Sequence, residues 1–160
     1  MKILPSKLFP GCTFSPEDDA GFYDITPKGF DHVVSLYLGS ETTKNDDAVK
    51  KAAQFFDRVS EWDEFCRRAF IAAEEGSEEY VMIMEYFDFY REEVPQVFGT
   101  EDVFTLSLPE MVKGLVLNHM GAHGSGTEQR FNVDFTLGYD QLLSVYFDSD
   151  SRFDHMAWES

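Results

Sequence analysis

Residues 60–76 read SEWDEFCRRAFIAAEEG and form the middle of three amphipathic helices that the sequence predicts within residues 43–96. The apolar residues of this stretch recur at the i, i+3, i+4, i+7 spacing that places side chains on one face of a helix. These residues are Trp62, Phe65, Cys66, Ala69, Phe70 and Ala73. A helix with such an apolar face is stable only when that face is buried, so the pattern predicts that the helix packs against other elements of the fold.

The opposite face of this middle helix is charged. Asp63 precedes Arg67 by four residues, and Glu64 precedes Arg68 in the same way, which is the favourable order for ion pairs on a helix surface. At the helix start, Ser60 is predicted to cap the free amides, with Asp63 returning the contact in the manner of a capping box. Gly76 is predicted to close the helix. These features indicate a scaffold, not a catalytic site.

The flanking helices have their own start and stop signals. The first is predicted to begin at Asp46 and Asp47, where negative charge favours a helix start. Its apolar face comprises Val49, Ala52, Ala53, Phe56 and Val59. The third is predicted to begin at Ser77 and to end at residues 94–95, because a residue before proline is disfavoured in a helix. Its inner face comprises Tyr80, Ile83, Met84, Phe87 and Tyr90.

Strand patterns lie on both sides of the helices. Residues 22–26 and 31–38 predict a hairpin, and residues 115–120, 131–137, 142–147 and 153–158 predict the strands of a meander. Apolar and polar residues alternate most clearly in residues 131–137. This alternation predicts a core face of Phe131, Val133, Phe135 and Leu137, and a water-facing side of Asn132, Asp134 and Thr136.

Together these elements predict an α+β fold, with an antiparallel sheet of N-terminal hairpin and C-terminal meander packed against the three-helix block. One domain is expected over residues 1–160, with residues 1–20 as an irregular leader that lies against the body. The leader is expected to use Leu8, Phe9 and Phe14 for this contact. The core face of the meander is expected to pack against Phe56, Trp62, Phe65, Phe70 and Phe87.

Charge limits the classes of partner. The 160 residues include 30 acidic and 13 basic side chains, for a formal net charge of −17. Such a charge repels nucleic acid and anionic membrane alike, so neither is an expected partner, and a basic protein is favoured. Cys12 and Cys66 are far apart in sequence and are expected to be reduced thiols in a cytoplasmic protein. The apolar run at residues 3–4 is too short for a signal peptide.

Three groupings of residues resemble known kinds of site. The glycine-rich residues 121–127 lack the features of a phosphate loop, a dinucleotide fingerprint or a nucleophile elbow, so a flexible connecting loop is favoured. His119 and His123 would share one face of a helix or a strand, but no third metal ligand is evident. No cofactor is expected.

The third grouping, residues 148–159, matches the spacing of a calcium loop only superficially. Arg152 takes the place of an oxygen ligand, and Phe153 takes the place of the glycine that the sharp turn needs. An acidic hairpin turn is favoured. Cys66 is unsuited to nucleophilic attack because the helical pattern buries it. We therefore assign no catalytic and no metal-binding residue from the sequence.

Several segments resemble one bacterial family. They are VSLYL at 34–38, AAQFFDRV at 52–59, WDE at 62–64, SVYFDS at 144–149 and WES at 158–160. Over about residues 30–160 the chain resembles the bacterial domain-of-unknown-function family numbered two-thousand-and-four. The resemblance implies a small cytoplasmic protein with relatives among the immunity proteins of bacterial toxin systems. It transfers no catalytic residue.

The favoured hypothesis is a non-enzymatic acidic binding protein, with an immunity protein against a cationic bacterial toxin as its specific case. The expected partner-binding carboxylates are Glu61, Asp63, Glu64, Glu74, Glu75, Glu78 and Glu79. Two alternatives stay open: an enzyme of unrecognised type with a pocket between helices and sheet, and a homo-oligomeric interaction protein with exposed aromatic residues. The sequence does not determine the oligomeric state.

Overall fold

A computed structural model describes residues 1–138 and 140–160. The chain begins with the strands β1 (Lys2–Ile3) and β2 (Thr13–Phe14), followed by β3 (Ala20–Phe22) and β4 (Ser35–Leu38). The helices α1 (Ser40–Thr43), α2 (Asp46–Phe56), α3 (Val59–Ala72) and α4 (Glu78–Glu93) come next, without a strand between them. Two 3-10 turns, Pro95–Phe98 and Val103–Thr105, lead to α5 (Leu108–Lys113). The chain ends with β5 (Val116–His123), a 3-10 turn at Gly126–Glu128, β6 (Arg130–Thr136), β7 (Leu142–Phe147) and β8 (Phe153–Glu159).

Strands β3 to β8 form a six-stranded sheet in sequence order, and β1 and β2 form a small separate sheet. This arrangement confirms the predicted α+β class and the meander. The N-terminal antiparallel pair also forms, but its first strand is Ala20–Phe22 and not residues 22–26 as predicted. The sheet is mixed, however, because β4 runs parallel to β5, with Leu36 opposite Met120. A parallel pair needs a long crossover connection, and the whole helical block α1–α5 provides it.

Side-chain caps mark the starts of α2 and α4. The Asn45 side chain accepts from Ala48 N before α2, and the Ser77 side chain accepts from Tyr80 N before α4, as predicted for Ser77. The predicted cap at Ser60 is wrong. Only two residues separate α2 from α3, so the chain re-enters the helical conformation at Val59 and Ser60 lies inside the first turn.

The predicted end of α3 at Gly76 is also later than the real one. The helix ends at Ala72. Gly76, at φ +90°, lies in the turn that leads to the cap of α4. This backbone conformation suits glycine because it has no Cβ.

Aromatic side chains fill the space between helices and sheet. Phe55 of α2 stacks between Trp62 and Phe131, with ring centroids 4.7 Å and 4.4 Å away, and Phe70 packs edge-on against Phe135 at 5.4 Å. The predicted burial of Phe56, Trp62, Phe70, Phe87 and the core face of β6 is confirmed. The prediction for Phe65 is wrong, because this side chain is 41% exposed at the margin of the interface.

The leader is more ordered than predicted. Asp57, at the end of α2, accepts hydrogen bonds from Ser6 Oγ at 2.6 Å and from the backbone amides of Lys7 and Leu8, both at 3.0 Å. Phe9 and Phe14 are buried as predicted, and Leu8 is partly buried against the same core. In the described part of the chain, no helix is both long enough and apolar enough to cross a membrane.

Candidate binding surface

An open groove lies between the end of α3, the start of α4 and strand β8, and we call it the acidic groove. Its volume is about 340 Å³. The residues that line it are Phe65, Ala69, Ala72, Ala73, Glu74, Ser77, Glu79, Phe153 and Met156. Phe65 and Phe153 are 41% and 42% exposed, and their ring centroids lie 6.3 Å apart. The groove therefore has an apolar floor that water reaches.

The local sequence explains why the groove stays open. Alanines at the end of α3 are too small to fill the space above Phe153. Strand β8 is the last strand of the sheet, and no described strand pairs with its outer edge. The short connection through Gly76 then places Glu74 and Glu75 in the turn and Glu78 and Glu79 in the first turn of α4.

The structure divides the seven predicted partner-binding residues into two groups. On α3, Glu61 pairs with Arg58 at 2.7 Å, Asp63 pairs with Arg67 at 3.0 Å, and Glu64 pairs with Arg68. The other group, Glu74, Glu75, Glu78 and Glu79, is exposed and makes no ion pair with any residue that the structure describes. Of the seven predicted residues, the four without an ion pair are therefore those in the α3–α4 turn and the first turn of α4, beside the groove.

Asp63 has a structural role. Its carboxylate holds the Arg67 guanidinium, which also donates to the carbonyl oxygens of Val112 and Leu115, both at 2.8 Å. This ion pair thereby joins α3 to the end of α5. Asp63 is a poor partner-binding residue because its charge is already engaged within the fold.

A second polar region lies on the sheet face opposite the core side chains of β6. The prediction that Asn132, Asp134 and Thr136 face water is wrong, because all three are buried. Their neighbours across the sheet come from β5 and β7: His119 lies opposite Asp134 on one side, and Ser144 lies opposite it on the other. The middle of β6 is thus flanked by side chains on both sides, and Asp134 is only 4% exposed.

Hydrogen bonds connect the polar side chains of β5 and β6. His119 Nδ1 lies 2.6 Å from Asp134 Oδ2, which also accepts from Asn132 Nδ2 at 2.9 Å. Asn132 Oδ1 lies 3.2 Å from His123 Nε2. Gly121 makes room for this last contact, because a Cβ there would lie 2.5 Å from Asn132 Oδ1. We call His119, His123, Asn132 and Asp134 the polar network.

The glycine-rich stretch is shorter as a loop than predicted. Strand β5 continues to His123, so Gly121 is a strand residue and not part of a flexible link. A tight connection, which includes a 3-10 turn at Gly126–Glu128, then joins β5 to β6. The Gly124 carbonyl oxygen accepts from Thr42 Oγ1 at 2.7 Å, which joins the connection to α1.

The grouping at residues 148–159, which superficially matches a calcium loop, has a structural role. Asp148 accepts from the amides of Asp150 and Arg152, both at 2.9 Å, and closes the predicted turn between β7 and β8. These backbone hydrogen bonds lower the pKa of the Asp148 carboxyl. No three His, Cys, Asp or Glu side chains of residues 1–138 and 140–160 are grouped as metal ligands would be.

Both thiols are free and buried, as the sequence predicts for Cys66. Burial raises the pKa of the Cys66 thiol, and the neighbouring Asp63 carboxylate raises it further. Burial also raises the pKa of the Cys12 thiol. Because only the thiolate is strongly nucleophilic, neither cysteine is poised for catalysis.

The sequence contains a partial signal for the polar network. His119 lies in a predicted strand and Asp134 in another, so their meeting depends on the register between the strands. A bulge at Asn118 shifts that register, since Leu117 pairs with Phe135 whereas His119 pairs with Asp134. Alternation within one strand does not contain this information.

No protein-family model, curated protein or solved structure matches the chain. The observations that bear on function are therefore the acidic groove, with its four unpaired carboxylates, and the polar network with the pocket beside it.

Proposed function

We propose that the protein is a non-enzymatic binding protein whose acidic groove takes a basic segment of a partner protein. The observation that carries this proposal is the pairing of an exposed apolar floor with four carboxylates that no described residue neutralises. The lining side chains are apolar, apart from two carboxylates and one hydroxyl. This chemistry suits binding better than acid–base or nucleophilic catalysis.

The two parts of the groove contribute differently to binding. An apolar side chain of the partner that covers Phe65 and Phe153 would contribute about 1.5–3 kcal/mol through burial. Glu74, Glu75, Glu78 and Glu79 would attract basic side chains beside that anchor. Complementary charge of this kind raises the association rate and orients the partner more than it adds affinity.

The net charge favours a basic partner over a second copy of the chain. Two molecules of formal charge −17 repel each other, and this repulsion opposes a dimer formed through the acidic groove. Within this proposal, a cationic bacterial toxin is the specific partner class, supported by the resemblance of the sequence to a family with immunity-protein relatives.

The groove can be tested without knowing the partner. The probe is a fluorescent peptide with one Trp flanked by four Lys residues, and its binding is measured by anisotropy and stopped flow at low and at physiological ionic strength. The groove variant carries Lys at Glu74, Glu75, Glu78 and Glu79. A matched control carries Lys at Glu17, Asp18, Glu92 and Glu93, which are exposed and have the same total charge change.

None of the control residues lines the groove. Glu92 and Glu93 lie about 20 Å along α4 from its start, given the rise of an α-helix. Association with the groove variant should be at least about tenfold slower than with the control variant at low salt. Equal association rates for the two variants would show that net charge alone attracts the peptide, and would overturn the proposal.

A further inference from the structure

We infer that the polar face of the sheet holds a second site, a pocket that binds a small molecule through a protonated amine with N–H donors. The pocket has a volume of about 340 Å³ and lies beside the polar network. Its lining residues are Tyr23, Ser35, Asn118, His119, Asp134, Asp140 and Leu142. This site is separate from the acidic groove in residues, and the inference does not depend on the proposed function.

Asp134 is the central observation. Its side chain is 5% exposed, and Oδ2 lies 2.6 Å from His119 Nδ1 and accepts from Asn132 Nδ2. The other oxygen, Oδ1, is buried and has no hydrogen-bond partner among the described residues. A buried acceptor without a partner is costly, so a ligand that donates a hydrogen bond to Oδ1 would be stabilised there.

A second residue of the pocket lining, Asn118, also has an unpaired acceptor. Asn118 Oδ1 is buried and has no partner in the described part of the chain. Asn118 is the extra residue of the β5 bulge, and such bulges re-aim side chains at functional sites. Two unpaired acceptors, together with the exposed Asp140 carboxylate, form a site composed largely of acceptors.

The charge of the lining favours a cation. Asp134 and Asp140 provide two carboxylates against the single imidazole of His119, so an anionic ligand would be repelled. An ammonium group carries three N–H donors and no acceptor, which matches this lining. Tyr23 adds an aromatic wall: its ring folds across Gly21, where a Cβ would lie 2.3 Å from the Tyr23 hydroxyl oxygen. Aromatic faces attract ammonium groups.

Two ions of equal charge test the inference. Methylammonium has N–H donors and tetramethylammonium has none, so general attraction to an acidic protein acts on both alike. We would titrate each into the labelled protein and follow the NMR signals of the Asn118 side-chain amide and the His119 ring. Methylammonium should give saturable shifts and bind at least about tenfold more tightly than tetramethylammonium. Equal binding, or no saturable shift, would overturn the inference.

Variants locate the binding. Asp134→Asn should weaken methylammonium binding at least about tenfold, and Asp140→Asn should weaken it severalfold. Asp150→Asn is the matched control, with the same change in an exposed turn, and it should leave binding unchanged. If Asp134→Asn does not fold, the test uses the exposed Asp140. If Asp140→Asn and Asp150→Asn bind methylammonium equally well, the ion does not occupy this pocket.

Discussion

The contact between α3 and the sheet can be tested at Phe135. This side chain is fully buried, packs edge-on against Phe70 at 5.4 Å and lies 5.3 Å below the Arg67 guanidinium. Its neighbours across the sheet are Leu117 and Leu143, so surrounding strands hold it on both sides. Replacement by alanine leaves a cavity that this arrangement cannot easily close, and we expect a loss of about 3–5 kcal/mol in the free energy of unfolding.

Phe65→Ala is the matched comparison, because it removes the same atoms from a side chain that is 41% exposed. Its expected cost is about 1–2 kcal/mol, in proportion to the area that it buries. Urea unfolding followed by circular dichroism would give both values, and thermal unfolding should show a fall of about 6–20 °C for Phe135→Ala.

Phe135→Leu keeps most of the buried volume and serves if the alanine variant does not fold. Its expected cost lies below that of Phe135→Ala. A cost for Phe135→Ala no greater than for Phe65→Ala would refute the assignment of this sheet face to the core.

Further predictions concern the leader, the thiols, the polar network and metal dependence. Asp57→Ala removes the acceptor of the Lys7 and Leu8 amides, so these amides should lose protection in hydrogen exchange and stability should fall by about 1.5–3 kcal/mol; unchanged protection would contradict the anchoring role. Because burial raises the pKa of Cys66, the folded state retains a proton that the unfolded chain releases near pH ~8.5, and stability should fall as pH rises above that value. Cys66→Ala should reduce this pH dependence. If the free energy of unfolding, measured with urea, falls equally steeply with pH in the variant and in the unaltered protein, the prediction is wrong. Gly121→Ala places a Cβ against Asn132 and should cost about 1–3 kcal/mol and shift the His123 ring signals in NMR spectra; unshifted signals would show that the contact is not needed. Chelator treatment should leave the melting temperature unchanged, and a loss that zinc or calcium restores would reveal a metal site.

Local patterns predicted most of the elements. The helical spacing of Trp62, Cys66 and Phe70 depends only on residues within about two turns, and the structure buries all three. Ser77 is a cap because its own side chain reaches an amide three residues ahead. Such signals succeed because the atoms that interact are close in sequence.

The sites were only partly predictable. Seven carboxylates were expected to bind a partner, but three of them pair with arginines on or beside α3. The i, i+4 spacing of Asp63 and Arg67 was visible in the sequence, whereas the link from Arg67 to the carbonyl oxygens at the end of α5 was not. The apolar floor of the acidic groove also escaped prediction, because Phe65 and Phe153 are 88 positions apart in the chain (153 minus 65) and meet only when β8 closes the sheet.

By itself, the sequence determined the α+β class, the amphipathic faces, the cap at Ser77 and the excess of negative charge. The tertiary structure alone decided the parallel pairing of β4 with β5, the register that brings His119 to Asp134, and the burial of Asn132. The physical reason is that periodicity and capping arise from neighbours along the chain, whereas strand register and the shielding of a sheet face depend on contacts between distant segments.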